Sequence, residues 1–127
     1  MSPDKKKILV IDDEPDVRTY LTTLLEDNGY AVDVAKDGQE GWQKFQQDRP
    51  DLVTLDITMP EKSGVRFYRD VKENDEYKTT PIIMITGVST DFEQFISSRK
   101  KVPPPDGYIP KPVVQEDRLA KVKELIG

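Results

Sequence analysis

Short apolar segments alternate with longer segments of helical periodicity along nearly the whole chain. The apolar segments are residues 8–11, 31–35, 52–55, 81–85 and 107–109. Three of them are nearly continuous aliphatic runs, which is typical of strands that are covered on both faces of a sheet. Strands that alternate with helices favour a parallel sheet joined by crossover helices. We therefore predict an α/β fold built on five parallel strands.

The segments between the strands carry apolar residues at the three- and four-residue spacing of an amphipathic helix. These residues are Val17, Tyr20, Leu21, Leu24 and Leu25 in the first segment, Trp42 and Phe45 in the second, Val65, Phe67, Tyr68 and Val71 in the third, Phe92, Phe95 and Ile96 in the fourth, and Leu119, Val122, Leu125 and Ile126 in the fifth. Turn-forming pairs separate the elements, such as Asn28-Gly29 after the first helix and Asp37-Gly38 before the second. We expect five helices and one domain over residues 5–126, preceded by a short tail of residues 1–4.

Composition excludes several classes of site. The chain has no cysteine and no histidine, which excludes thiol nucleophiles, thiolate metal sites, Ser-His-Asp triads and histidine general bases. The formal net charge is −5, so no global basic field attracts nucleic acid or anionic lipid. No apolar stretch is long enough for a signal-peptide core or a membrane span. We expect a cytoplasmic protein without direct nucleic-acid or membrane binding.

Four of the five predicted strands deliver candidate polar residues to one rim of the sheet, either directly after the strand or, for the fifth strand, after one intervening proline. These are Asp12 and Asp13, then Asp56, Thr86 and Lys111. In a doubly wound sheet, ligands bind beyond the carboxyl ends of the strands, near the point where the strand order reverses. Three carboxylates at one rim repel one another, and a hard divalent cation relieves that repulsion. Carboxylate ligation suits Mg²⁺, so the pattern predicts a magnesium site of the kind that sits beside a phosphate.

Each of these residues also has a purely local interpretation. Asp12 and Asp13 suit the N-terminus of the first helix, where Pro15 fits the first turn. Asp56 suits the start of a turn, and Lys111 taken alone is typical of a solvated surface lysine. An acid pair, a single acid, a hydroxyl and a lysine occur in order on successive strand ends. This joint occurrence favours a functional site over four coincidences.

The motifs at these strand ends resemble those of a known family. They are ILVIDDE at residues 8–14, LDITMP at 55–60 with Gly64, ITG at 85–87 and YIPKP at 108–112. Together they resemble the receiver domain of two-component response regulators, the CheY-like fold. The resemblance implies a doubly wound five-stranded parallel sheet of order 2-1-3-4-5, flanked by five helices. It also implies that residues 5–126 are a receiver domain, with no output domain in this chain.

The resemblance assigns chemical roles to the acidic residues. It implies that Asp56 accepts a phosphoryl group from a phosphohistidine on a sensor histidine kinase or a histidine phosphotransfer protein. Asp12, Asp13, Asp56 and the backbone carbonyl of Thr58 would hold Mg²⁺. The donor histidine must belong to another protein, because this chain has none. We expect no enzyme activity beyond the domain's own phosphorylation and dephosphorylation in phosphorelay signal transduction.

The same resemblance implies the remaining site and switch residues. Lys111 and Thr86 would bind oxygens of the phosphoryl group, and Thr86 and Tyr108 would act as a switch after phosphorylation. The switch would change the surface formed by the fourth helix, the fifth strand and the fifth helix, which binds a downstream effector or a second copy of the chain. The family pattern also predicts a cis peptide bond between Lys111 and Pro112.

Three other functions fit parts of the pattern. A haloacid dehalogenase-like phosphatase also uses an aspartate at a strand end, but Thr58 stands where its second aspartate is expected. A flavodoxin-like cofactor binder needs a phosphate loop after the first strand, where Asp12, Asp13 and Glu14 would repel a phosphate. A degenerate receiver would serve as a phosphorylation-independent protein-binding scaffold.

Overall fold

The computed structural model describes residues 5–57, 63–86, 107–110 and 115–126. The strands are β1 (Lys7–Ile11), β2 (Ala31–Ala35), β3 (Leu52–Asp56), β4 (Ile82–Thr86) and β5 (Gly107–Pro110). The helices are α1 (Pro15–Asp27), α2 (Gly38–Gln47), α3 (Ser63–Lys72) and α4 (Gln115–Ile126). None of these four helices combines the length and the apolar character needed to cross a membrane.

The helix count stays a prediction. The segment predicted as the fourth helix falls within residues 87–106, which lie outside the described ranges. The helix α4 (Gln115–Ile126) therefore corresponds to the helix that the sequence predicts as the fifth.

The strands form one parallel sheet of order β2-β1-β3-β4-β5. Strand β1 pairs with β3 so that Ile11 lies opposite Leu55. Strand β3 pairs in turn with β4, with Asp56 opposite Ile85. This arrangement confirms the predicted α/β class with a parallel sheet, and it places the carboxyl ends of β1 and β3 side by side at one edge.

Both faces of the sheet are covered by helices. One core lies between the sheet and helices α2 and α3, and its buried residues include Leu9, Ile11, Val53, Leu55, Met84, Phe45, Phe67, Tyr68 and Val71. The other core lies between the sheet and helices α1 and α4, and its buried residues include Ile8, Val10, Leu52, Ile83, Ile85, Leu21, Leu25 and Val122. Burial of alternate residues on opposite faces explains why the central strands are almost continuously apolar in sequence.

Local turn chemistry sets where the helices begin and end. Asp37 caps α2, because its side chain accepts a hydrogen bond from the backbone N–H of Glu40 at 2.8 Å. Helix α1 begins at Pro15, whose fixed φ suits the first turn. Gly29 follows α1 with a φ of 93°, a left-handed conformation that favours glycine. The chain therefore reverses toward β2 directly after α1, as the Asn28-Gly29 pair predicts.

The predicted apolar face of α1 is wrong at one position. Tyr20 is 47% exposed, although its spacing in the sequence assigns it to the core. Leu21 and Leu25 are fully buried instead, and Val17 and Leu24 pack against the same core. Successive helix residues are about 100° apart, so Tyr20 lies at the edge of the stripe formed by the other four.

Strand β4 differs from its predicted bounds by one residue at each end. It begins at Ile82 because Pro81 has no backbone N–H to donate to the sheet. The carbonyl of Pro81 still accepts a hydrogen bond from the backbone N–H of Val53 at 3.0 Å. The strand ends at Thr86, so this residue belongs to the sheet and not to the segment that follows.

Candidate functional site

The carboxyl ends of β1 and β3 place two acidic residues next to each other. Because Ile11 pairs with Leu55, the residues that follow them, Asp12 and Asp56, are neighbours across the sheet. The backbone N–H of Asp12 donates to the carbonyl of Ala35 at 3.0 Å, which extends the hydrogen bonding between β1 and β2 by one residue. The sheet itself therefore holds the backbone of both acids.

Strand alternation directs both acidic side chains to the same face of the sheet. Asp12 lies two residues after Val10 and four after Ile8, and Asp56 lies four residues after Leu52. Residues an even number of positions apart in a strand point to the same face. Ile8, Val10 and Leu52 belong to the core shared with α1 and α4. Asp12 is 3% exposed and Asp56 is 1% exposed. The two carboxylates thus lie at the end of this core, largely withdrawn from water.

Asp13 completes a cluster of three carboxylates. One oxygen each from Asp12, Asp13 and Asp56 lies within 4.8 Å of the other two. Asp13 is exposed whereas the other two residues are buried, so solvent reaches the cluster from one side. Like charges at this spacing repel strongly where water is partly excluded, which favours a bound cation. The structure brings together the three side chains that the sequence predicts as metal ligands.

The donor atoms of the cluster select among metal ions. All three side chains offer oxygen, and the chain has no histidine or cysteine, the ligands that softer metals prefer. Mg²⁺ binds through a few carboxylates and retains several of its waters. The exposure of Asp13 gives such waters access to the cluster. The residues present therefore fit Mg²⁺ by ligand type.

Asp12 also organises the turn into α1. Its Oδ1 accepts a hydrogen bond from the backbone N–H of Glu14 at 2.9 Å, and Glu14 is the N-cap residue of α1. Arg18 Nη1 donates to the backbone carbonyl of Asp12 at 2.8 Å. A carboxylate has two oxygens with several lone pairs, so the local role of Asp12 is compatible with a role as a ligand.

Arg118 is a buried cation beside the acidic cluster, and it is not among the site residues predicted from the sequence. Its side chain is 2% exposed, although it lies near the start of α4. Burial lowers the pKa of the guanidinium from its ordinary value, while the negative charges of Asp12 and Asp56 raise it. The signal available in the sequence is the spacing of Arg118 four residues before Val122, which places both on one helix face.

The other predicted site residues are described only in part. Thr86 ends β4, and its backbone pairs with Pro110, the last residue of β5, so both residues lie at the same edge of the sheet. Tyr108 lies within β5. Outside the described residues lie Thr58, Lys111 and the Lys111–Pro112 bond. Their roles, and the roles of the Thr86 and Tyr108 side chains, stay predictions.

Sequence comparison matches nearly the whole chain to known proteins. The family model of the response regulator receiver domain matches residues 8–123. The chain is 34% identical over 120 residues to the response regulator MprA of Mycolicibacterium vanbaalenii, an alignment that covers 94% of this chain and 50% of that protein. It is 32% identical over 121 residues to the alkaline phosphatase synthesis transcriptional regulatory protein PhoP of Bacillus subtilis, with 95% and 48% covered. The chain spans about half the length of these curated relatives.

Solved structures agree with the sequence comparison. The fold is similar to that of the chemotaxis response regulator CheY4 of Vibrio cholerae, with a TM-score of 0.81 and 30% identity over 96% of this chain and 99% of that chain. It is also similar to the response regulator TrrA of Thermotoga maritima, solved in complex with Mg²⁺-BeF, with a TM-score of 0.79 and 35% identity over 95% and 99%. Sequence and fold comparisons thus point to the same family.

Proposed function

Because this chain belongs to the response regulator receiver family of two-component systems, we propose that it accepts a phosphoryl group on Asp56. The proposed donor is a phosphohistidine of a sensor histidine kinase or of a histidine phosphotransfer protein, since the chain itself has no histidine. In this proposal the domain is a cytoplasmic phosphoacceptor that promotes only its own phosphorylation and dephosphorylation.

The observation that carries this proposal is the carboxylate cluster at the carboxyl edge of the sheet. Asp56 ends a central strand, is buried, and has an oxygen within 4.8 Å of oxygens of Asp12 and Asp13. Phosphoryl transfer depends mainly on positioning and on neutralisation of charge at the transferring oxygens. A carboxylate that is fixed by the sheet beside a cation site supplies both requirements. The similar protein TrrA, solved in complex with Mg²⁺-BeF, adds support.

In the proposed reaction a carboxylate oxygen of Asp56 attacks the phosphorus from the side opposite the leaving nitrogen. The new P–O bond forms as the P–N bond of the donor breaks, and the electron pair of that bond stays on the donor imidazole. The position of Asp56 as the last residue of β3 supports this role, because a carboxylate held by a strand would meet the phosphorus from a restricted direction. Mg²⁺ held by Asp12, Asp13, Asp56 and the Thr58 carbonyl would neutralise charge on the transferring oxygens.

We propose that Thr86 and Lys111 bind the phosphoryl oxygens once the group is on Asp56. The location of Thr86 at the end of β4, the strand next to β3, supports its part of this role. Lys111 directly follows Pro110, whose backbone pairs with Thr86. A hydroxyl offers a hydrogen bond to a phosphate oxygen, and a lysine ammonium offers a point charge.

The proposed output is a change in the surface formed by the predicted fourth helix, β5 and α4. The phosphoryl dianion would draw the Thr86 hydroxyl toward it, and the Tyr108 ring would turn into the space that Thr86 leaves. A partner that binds one arrangement better shifts the population only by its differential affinity, so 1.4 kcal/mol gives about tenfold. The proposed partner at this surface is a downstream effector or a second copy of the chain, without direct contact to nucleic acid.

Labelling with acetyl phosphate tests the assignment of Asp56. We expect stoichiometric, Mg²⁺-dependent, base-labile labelling of the wild-type protein by intact mass spectrometry, and none of Asp56→Asn. The amide keeps the shape of the side chain but lacks the nucleophilic oxygen and its charge. The matched control is Asp27→Asn, because Asp27 is an exposed aspartate at the end of α1, remote from the sheet edge. This control should be labelled like the wild type.

The same assay separates the alternative functions. Sustained release of phosphate over many turnovers would support a haloacid dehalogenase-like phosphatase. Absence of label from both acetyl phosphate and a phosphorylated histidine phosphotransfer protein would support a degenerate receiver that acts as a scaffold. Full labelling of Asp56→Asn at the wild-type rate would refute the phosphoacceptor assignment.

A further inference from the structure

Arg118 lies on the side of α4 that packs against the sheet. Val122, four residues later on the same helix face, is fully buried in the core shared with Ile8, Val10 and Leu52. Helix α4 begins only a few residues after β5 ends, so its first turns lie at the carboxyl edge of the sheet. Arg118 is therefore one turn closer than Val122 to the edge that carries the acidic cluster.

The burial of this guanidinium needs an electrostatic explanation. The Arg118 side chain is 2% exposed, and its Nε is buried without a hydrogen-bond partner among the described residues. A buried charge costs several kcal/mol unless an opposite charge compensates it. Asp12 and Asp56 interact electrostatically with Arg118, and both direct their side chains to the face of the sheet that α4 covers. The two buried carboxylates thus provide the compensating charge.

We propose that Arg118 is a resident counter-ion of the acidic cluster, a positioning residue that stabilises the metal-free site and weakens the binding of Mg²⁺. This inference rests on the proposed function, because it concerns the carboxylates that would hold the metal. None of the family motifs in the sequence includes residue 118.

The sign of the effect follows from Coulomb's law. A fixed positive charge near Asp12 and Asp56 lowers the repulsion between the carboxylates when no metal is bound. The same charge repels a divalent cation, so the metal-bound state gains less than it would beside a neutral side chain. Arg118 therefore narrows the difference in stability between the metal-free and the magnesium-bound protein. Its removal widens that difference.

The test is the affinity for Mg²⁺ alone, measured by titration calorimetry at fixed ionic strength. We expect Arg118→Met to bind Mg²⁺ roughly tenfold more tightly than the wild type, which corresponds to about 1.4 kcal/mol. Arg118→Lys keeps the charge and should stay close to the wild-type affinity. The matched control is Lys123→Met, which removes one positive charge from an exposed position on the same helix. Solvent screens that charge, so its loss should change the affinity by no more than about twofold.

Thermal unfolding gives a second readout that does not depend on activity. For each variant, the unfolding midpoint in EDTA is subtracted from the midpoint in saturating Mg²⁺. Changes in packing that affect both midpoints equally cancel in this difference. We expect a larger rise for Arg118→Met than for the wild type and for Lys123→Met. Should Arg118→Met fail to fold, Arg118→Gln provides a neutral polar replacement for both measurements.

The outcomes separate this inference from the proposed function. A folded Arg118→Met or Arg118→Gln variant could match the wild type in its affinity for Mg²⁺ and in the rise of its unfolding midpoint. That result would overturn the role of Arg118. In that case normal labelling of Asp56 in the wild type would leave the proposed function intact. Failure of wild-type labelling contradicts the proposed function, whereas tighter Mg²⁺ binding by the neutral variants would still support the counter-ion role of Arg118.

Discussion

Removal of the Asp56 charge should make the metal-free protein more stable. Oxygens of the two buried acids, Asp12 and Asp56, lie within 4.8 Å of each other. Two unit charges at that distance repel by about 3.5 kcal/mol at an effective dielectric constant of about 20. Arg118 offsets part of this repulsion, and the amide of Asp56→Asn gives up charge-assisted hydrogen bonding, so we expect a net gain of about 1–2 kcal/mol.

The expected gain is large enough to measure by thermal unfolding. For a chain of 127 residues, 1 kcal/mol shifts the unfolding midpoint by about 4 °C, so Asp56→Asn should unfold about 4–8 °C above the wild type in EDTA. Saturating Mg²⁺ should reduce the gap, because the wild type has one more ligand to offer. Glu26→Gln removes one charge from an exposed position on α1 and should shift the midpoint by less than about 2 °C.

The comparison in EDTA decides whether the reasoning holds. An Asp56→Asn midpoint at or below that of the wild type would show that the buried carboxylates do not repel as their spacing implies. High salt should leave most of the gap in place, because buried charges are screened less than exposed ones.

Three further predictions concern the scaffold that holds the site. A Cβ at Gly41 would lie 3.0 Å from Ile11 Cγ1 and still closer to Cδ1, so Gly41→Ala should lower the free energy of unfolding by about 1–2 kcal/mol in denaturant titration. In an Ile11→Val background the Cδ1 atom is absent, and Gly41→Ala should become neutral or stabilising through its helix propensity. Lys72→Met should cost about 2–3 kcal/mol in the same assay, because the buried ammonium donates to two carbonyls at 3.0 and 3.1 Å that would lose their partner. Burial raises the pKa of Tyr30 above 10.0. The contribution of Tyr30 to the free energy of unfolding is therefore complete below pH 10 and is lost as the pH rises through the raised pKa. The free energy of unfolding of Tyr30→Phe should depend less on pH above pH 10 than that of the wild type.

Apolar runs and turn residues were enough to predict the parallel strands, whereas the order of the strands came from the resemblance to the receiver family. Strand β2 has its predicted bounds, and β4 begins one residue late because Pro81 donates no hydrogen bond. Tyr20 was not predicted to be exposed. Its spacing fits the apolar face of an amphipathic helix, but the width of the buried face depends on how α1 packs against the sheet. The spacing of apolar residues does not specify that packing.

The acidic cluster was predictable because strand ends in a parallel sheet share one edge. The adjacent positions of β1 and β3 are sufficient to bring together Asp12, Asp13 and Asp56. Arg118 was not predicted, since an arginine in a helix is usually solvated and its burial depends on the packing of α4 against the sheet. Lys72 is a similar case, because its partners are carbonyls of a turn whose conformation no residue pattern specifies.

The register between β1 and β3 has an evolutionary consequence. The Ile11–Leu55 pairing makes the separation of Asp12 and Asp56 a property of the spacing between adjacent strands, about 4.8 Å. Crossover segments can therefore lengthen or shorten among relatives without moving either acid. A slip of β3 by one residue would turn Asp56 toward α2 and α3. The same slip would exchange the residues that β3 presents to the two cores. Selection for a buried core and selection for the acidic pair thus act on the same alignment of two strands, and a slip in that alignment would lose both together.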